Sequence, residues 1–304
     1  MSATATSPRL GVNLSFCVKR WVTPALWGPI LRDELQVGLA QLSFDLVDPM
    51  WPDELLADLA AELRTVPDRY GVEIHSAFIG LAHYSFNQLL HPESRVRDYA
   101  EAWLVRACRF AAEAGIPRLG GPLGAIASRL DAVEEDALNE ADFGDLVARM
   151  RRISEAAARA GLVELLVEPT PLRREWPWSI PQARRMADAV AGSPVPWRYC
   201  VDWGHATFEP LYGRENATME SWLAALTDDI GAIHIQQTDG RLDRHWDFTE
   251  TGMVEPAAAA ALLERTGLAD RPVFLEVFYP FERDDRSVLD AVRRSVALLK
   301  QAFG

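Results

Sequence analysis

Val163-Glu164-Leu165-Leu166-Val167-Glu168 and Trp197-Arg198-Tyr199-Cys200-Val201-Asp202 are two short apolar runs, each ended by a carboxylate. Between them lies one helical stretch. A strand, a loop, a helix and a second strand of the same kind make a βαβ unit, which joins parallel strands. The same pattern extends in both directions. Further runs occur at Leu10–Leu14, Leu42–Leu46, Val72–Phe78, Arg118–Gly121, Ala232–Ile235 and Val273–Val277, which makes eight with Val163–Val167 and Arg198–Val201. Helical segments fill the intervals. From Pro92 to Gly115, proline opens the segment and glycine ends it, with Val96, Tyr99, Trp103, Ala107 and Phe110 on one face. Leu146, Met150, Ile153 and Ala157 repeat likewise before Gly161, as do Leu289, Val292, Val296 and Leu299 near the end.

Eight β/α units in 304 residues predict a closed (β/α)8 TIM barrel, read as a single domain over 1–304 with 1–8 as a flexible tail. An open doubly wound sheet would carry a glycine-rich phosphate turn after its first strand. Here that position reads Ser15-Phe16-Cys17-Val18-Lys19-Arg20-Trp21, and no P-loop occurs elsewhere. Composition excludes other classes. Hydrophobic residues make up 49% of the chain and charged residues 25%, so it reads as globular and not disordered. The formal charge of −13 opposes a nucleic-acid partner, and no apolar run is long enough to span a membrane. Three widely spaced cysteines, Cys17, Cys108 and Cys200, suit a reducing compartment better than a disulfide framework. With no basic, apolar leader at the start, a cytoplasmic location is expected.

In a barrel of this kind the chemistry sits where the strands end. Glu168 and Asp202 end the fifth and sixth runs, His234 lies in the seventh, and Glu276 interrupts the eighth. They stand 34, 32 and 42 residues apart, about one β/α unit each time. A lone strand-end Glu or His is usually paired with a neighbour for structural reasons. Three carboxylates and an imidazole converging from four successive strands would repel one another without a cation. An oxygen-rich set with one imidazole suits one divalent ion, Mn²⁺ first, with Mg²⁺ and Co²⁺ also compatible.

The stretches Val167-Glu168-Pro169, Val201-Asp202-Trp203-Gly204-His205, Ile233-His234-Ile235 and Leu275-Glu276-Val277 resemble the metal motifs of the xylose isomerase-like TIM barrels. That group includes sugar-phosphate isomerases and epimerases and the ketose 3-epimerases. The resemblance implies a metal held by Glu168, Asp202, His234 and Glu276, with His205 on the substrate. A finer likeness, in Phe78-Ile79-Gly80-Leu81-Ala82-His83-Tyr84-Ser85 and Gly120-Gly121-Pro122-Leu123-Gly124-Ala125, is to tetrulose-phosphate epimerases or isomerases of erythritol catabolism. Pro122 departs from that subgroup, where a histidine is expected.

The chemistry so implied is proton transfer next to a ketose carbonyl through a metal-stabilised enediolate. Glu168 and Glu276 serve as opposed acid and base. Return of the proton to the opposite face of the same carbon is epimerisation, and return to the adjacent carbon is isomerisation. Further substrate contacts are expected from His75, inside the third run, and from His245 and Asp247, on the long loop after the seventh. Basic residues follow several strands: Lys19 and Arg20, Arg173 and Arg174, Arg241 and Arg244. They could grip a phosphate, or be scattered surface charge. Trp176, with Trp21, Trp51, Trp178, Trp203 and Trp246, falls near strand ends and would wall a sugar or a homo-oligomer interface. Competing readings keep the same metal but expel a group, as a lyase or decarboxylase of a 3-oxo sugar acid or 3-keto glycoside would. Abasic-site endonucleases share the barrel but need more histidines and a basic face. A non-catalytic sugar-binding module would not need two opposed carboxylates.

Overall fold

A computed structural model describes residues 10–127 and 138–304; the expected tail at 1–8 lies outside the described residues. Eight parallel strands close in sequence order, β1 next to β2 and so on to β8, which returns to β1. They are β1 (Leu10–Asn13), β2 (Leu39–Ser43), β3 (Glu73–Phe78), β4 (Arg118–Gly121), β5 (Glu164–Val167), β6 (Trp197–Asp202), β7 (Ile230–Ile235) and β8 (Val273–Leu275). Register is set by pairs such as Val12 with Ala40, Gly120 with Leu166, and His234 with Phe274.

Seven strands fall close to where the apolar runs place them. β2 starts three residues before the expected Leu42 and stops at Ser43. The strand is buried throughout, and Gln41 within it is a polar side chain that faces buried polar partners. An apolarity scan therefore reads past it to Phe44 and Leu46. Glu276 lies one residue beyond β8.

The helices follow their capping signals. Glu140–Ala160 starts where the Asn139 side chain accepts a hydrogen bond from the Asp142 N–H, and stops at Gly161, whose φ of +96° suits a residue without Cβ. Asp284 caps Asp285–Phe303 in the same way, through the Ser287 N–H. Ser94–Glu113 buries Trp103, Ala107 and Phe110 as its periodicity predicts, but Tyr99 is 52% exposed. Among the described residues no helix is long and apolar enough to cross a membrane.

The chain divides into two compact units. One combines Met1–Gln41, Val66–Ile74 and Val201–Gly304. Its core is built from Val12, Leu14, Ile233, Ile235, Phe274 and the inner face of Asp285–Phe303. The other combines Leu42–Thr65 and His75–Cys200. Phe78, Leu119, Leu165 and Leu166 are fully buried in it, together with Leu146 and Met150 of Glu140–Ala160.

Candidate metal centre

Each strand-end ligand candidate is removed from solvent: Asp202 and His234 are fully buried, and Glu168 and Glu276 are nearly so. Each offers one ligand atom, and those of Asp202, His234 and Glu276, which share one compact unit, lie within 4.8 Å of one another.

Hydrogen bonds fix these groups in particular states. The Glu276 carboxylate can only accept when ionised, so the atom of Asn13 facing its Oε1 at 2.8 Å must be the amide nitrogen. That Nδ2 gives its second proton to Gln41 Oε1 at 2.6 Å, while Asn13 Oδ1 accepts from the Ser15 N–H at 2.9 Å. Gln41 thus presents an oxygen to His234 Nε2 at 2.7 Å, and the imidazole must donate there. In the neutral ring the proton is then on Nε2, and Nδ1 keeps its lone pair. Yet Nδ1 stands 3.0 Å from Glu276 Oε2, another lone-pair atom. Such a contact needs a cation or a proton between its members.

Asp202 makes the same demand. Its Oδ1 accepts from the His205 N–H at 2.9 Å and from Gln236 Nε2 at 2.8 Å. Its Oδ2 is buried without a hydrogen-bond partner. An ionised oxygen so enclosed is costly unless something positive meets it. Asp202, Glu276 and a neutral His234 give two carboxylates and one imidazole, so these residues fit a hard or borderline divalent cation.

Around Asp202 the loop after β7 closes tightly. Gln236 Nε2 also lies 3.1 Å from Asp243 Oδ1, and Gln236 Oε1 accepts from the His245 N–H. Gly204 permits this approach, because a Cβ there would stand 2.4 Å from the Gln236 amide carbon. Asp243 Oδ2 faces Nε2 of both His205 and His245 at 3.2 Å. These three residues form a second group able to hold a cation. Burial would lower the His245 imidazole, but Asp243, with Glu276 and Asp202 beside it, raises it to about 9. Burial would likewise raise the Asp243 carboxyl, and the two imidazoles hold it well below the usual range. Burial also acts to raise Glu276, and His234, His245 and His205 draw it down.

The other predicted contacts divide. His205 and His245 join the cluster just described. His75 is 3% exposed on β3, with Nδ1 3.1 Å from the Ser76 hydroxyl. Asp247 is buried in its own loop, where Oδ1 accepts from the Thr249 N–H at 2.8 Å and Oδ2 lies 3.7 Å from Arg283. Trp176 is buried against Phe143 at 5.5 Å, with Arg185 over both rings. Arg20 grips the carbonyls of Pro280 and Arg283 and the carboxylate of Asp285. Arg244 pairs with Asp239 at 2.7 Å. Lys19 rests on the Phe281 ring, Arg173 on Trp178, and Arg174 and Arg241 are exposed. Asn13, Gln41, Gln236 and Asp243 are the participants that sequence reasoning missed. Neutral amides carry no charge signal, and Asp243 looks like one more acidic loop residue.

A match to the xylose isomerase-like TIM barrel family spans residues 38–302. The chain belongs to this family. Its fold is that of the sugar isomerases and epimerases. A candidate xylose isomerase from Rhodospirillum rubrum ATCC 11170 superposes with a TM-score of 0.91 at 38% identity, over 97% of this chain and 99% of that one. D-psicose 3-epimerase of Clostridium cellulolyticum H10 shares the fold at 11% identity, with a TM-score of 0.73 over 97% and 99% of the two chains. The D-erythrulose 1-phosphate 3-epimerase of Brucella abortus (strain 2308) is 23% identical over 295 residues, covering 95% of this xylose isomerase-like barrel and 94% of the relative.

Proposed function

We propose that this barrel is a divalent-metal-dependent epimerase or isomerase of a small ketose or ketose phosphate, with a tetrulose phosphate as its substrate. The observation that carries the reading is the buried Asp202 Oδ2, without a hydrogen-bond partner beside His234 and Glu276, whose ligand atoms lie within 4.8 Å of that of Asp202. The name of the Brucella abortus relative, similar along nearly its whole length, supports a four-carbon phosphorylated ketose. Glu168, Asp202, His234 and Glu276 would hold the ion, Mn²⁺ in the first place, with Mg²⁺ or Co²⁺ as substitutes.

When bound, the cation supplies a Lewis acid that makes the C–H beside a ketose carbonyl more acidic. The protein's own groups do the rest. Glu276, held as a carboxylate by the Asn13 amide that donates to Oε1 and by His245 3.6 Å away, would accept a proton at a carboxylate oxygen. Glu168, carried by a strand three places round the barrel order, is the partner that returns a proton. His205, held through its backbone by Asp202, offers an imidazole to a substrate oxygen. Lys19, Arg174 and Arg241 are the exposed cations left for a phosphate, since Arg20 and Arg244 are engaged in ion pairs.

The test is a turnover assay on tetruloses, pentuloses and hexuloses, free and phosphorylated, with Mn²⁺ supplied. Conversion of a tetrulose phosphate to its epimer or isomer supports the proposal. Release of carbon dioxide or an aglycone from a 3-oxo sugar acid or 3-keto glycoside would replace it with the lyase reading.

A further inference from the structure

Gln236 follows β7 directly and is fully buried, so both ends of its amide must find partners inside the protein. Its neighbours leave one orientation. Oε1 takes the backbone N–H of His245, which can only donate. Nε2 then gives its two protons to two carboxylate oxygens, Asp202 Oδ1 at 2.8 Å and Asp243 Oδ1 at 3.1 Å, with His245 Nδ1 beside them at 3.2 Å. One planar group therefore meets a proposed cation ligand through its nitrogen and the loop after β7 through both atoms.

The loop, residues 237–246, is closed at its neck by an antiparallel bridge. Gln237 N–H donates to the Trp246 carbonyl at 2.8 Å, and Trp246 N–H returns the bond at 3.1 Å. Further along, Asp239 takes the N–H groups of Arg241 and Leu242 and the guanidinium of Arg244, bonds that stay inside the loop. His245, on the returning arm, has a φ of +45°, the left-handed region that a residue with a Cβ enters at a cost. Its N–H goes to Gln236 and its carbonyl accepts from the Phe278 N–H at 3.1 Å, so the strained residue is held on both sides. In that conformation its Nδ1 stands 3.6 Å from Glu276 Oε2. On the ligand side, Asp202 Oδ1 is engaged twice, by the His205 N–H at 2.9 Å and by Gln236, which leaves Oδ2 for a cation. Gly204 makes room for this contact, since a Cβ there would stand 2.4 Å from Gln236 Cδ and 2.5 Å from its Nε2.

We propose, resting on the metal-dependent reading above, that Gln236 is a positioning residue that couples the cation ligand Asp202 to loop 237–246. An ion on Asp202 and the placement of Asp243 and His245 then stabilise each other. With the amide in place, Asp202 is turned to offer Oδ2 alone, and His245 keeps the backbone that sets its ring beside Glu276. Without it, Asp202 is free to turn and His245 relaxes from its positive φ. Such coupling is reciprocal: the factor by which the ordered loop strengthens ion binding is the factor by which the ion favours the ordered loop. An amide that only filled the end of the strand would change stability when replaced, and neither of these two properties.

The test reads both ends of the contact in the full chain. Gln236→Met keeps the length of the side chain and removes the amide, whereas Gly204→Ala, in the helical turn Trp203–Ala206, keeps the amide and wedges it away. In the metal-free chain both should speed hydrogen exchange of the His245 N–H, followed by NMR, about tenfold, the effect of one lost hydrogen bond. In competition with a chelator both should weaken Mn²⁺ about 10–100-fold. Asp239→Ala loosens the loop without touching Gln236; it should speed exchange at Arg241 and Leu242 and leave Mn²⁺ affinity unchanged. Mn²⁺ should also slow His245 exchange in the native chain, a measurement that needs no variant and decides the matter if the buried substitutions unfold the protein. Native exchange at His245 in both variants, no slowing by bound Mn²⁺, or an affinity that falls as far in Asp239→Ala as in Gln236→Met would each overturn the proposal. The two readings fail separately: a native chain that binds no Mn²⁺ refutes the metal-dependent reading and the coupling with it, whereas Mn²⁺ bound equally by the native chain and both variants refutes the positioning role alone.

Discussion

Gln41→Met should loosen the candidate metal centre without touching any of its proposed ligands. In the native chain one oxygen, Gln41 Oε1, accepts from Asn13 Nδ2 at 2.6 Å and from His234 Nε2 at 2.7 Å, and Gln41 is fully buried. Methionine keeps the length of the side chain and removes the acceptor. Two buried donors are then left, each costing about 1–3 kcal/mol, so stability should fall by roughly 2–6 kcal/mol. The second consequence is specific to the site. Without Gln41 Oε1 the His234 Nε2 proton loses the acceptor 2.7 Å away, and the state in which Nδ1 is free to ligate is less favoured. Loss of such an outer partner weakens metal affinity about 10–100-fold. Competition of Mn²⁺ against a chelator measures this directly, and urea denaturation of the metal-stripped chain measures the stability separately. Gln41→Glu keeps an acceptor and should recover most of the affinity. A Met variant that folds and binds Mn²⁺ as tightly as the native chain would refute the tautomer argument.

Asp202→Ala and His234→Ala should lose bound metal and activity together, as read by elemental analysis of the purified variants; full divalent occupancy in either would remove it from the ligand set. Glu168→Gln and Glu276→Gln should stay folded, keep some metal and lose conversion by roughly 10²–10⁴-fold, with the remaining carboxylate still exchanging substrate protons with deuterated water. Near-native conversion by both would move the proton transfer to a histidine such as His75 or His205. If Lys19, Arg174 or Arg241 holds a phosphate, kcat/KM should favour the phosphorylated ketose by orders of magnitude, and equal values would make these residues surface charge. Acid sensitivity should come partly from His83. The unfolded chain takes up its proton near pH 6.5, the folded one only near pH 4, so stability falls as the pH drops across that window, by about 3 kcal/mol in full. His83→Phe should flatten that part of the urea-denaturation profile, and an unchanged slope would count against a buried neutral imidazole.

Periodicity made the barrel readable because parallel strands covered on both faces are apolar runs, and β4 and β5 show this most cleanly. β2 was displaced because Gln41, a buried polar residue with a positioning task, looks like a break in the run. The ligand candidates were readable for the opposite reason: Glu168, Asp202 and Glu276 are charges set into or just after apolar strands, which demands an explanation from sequence alone. The amides that orient them make no such demand, since Asn13 and Gln236 are ordinary loop-edge residues until their partners are known. Arg20 and Arg244 show the limit for surface charge. Both follow strands as a phosphate-binding residue would, and both are taken up by carboxylates nearby, Asp285 and Asp239.

The most direct test of the central claim is exchange and turnover of a tetrulose phosphate in deuterated water, with Mn²⁺ present or removed, quenched with chelator and read by NMR. Deuterium should enter at the carbon beside the carbonyl, with conversion to the epimer or isomer, and both should vanish on metal removal and in Asp202→Ala. Exchange and conversion that persist in the metal-stripped chain, or in Asp202→Ala, would contradict the account.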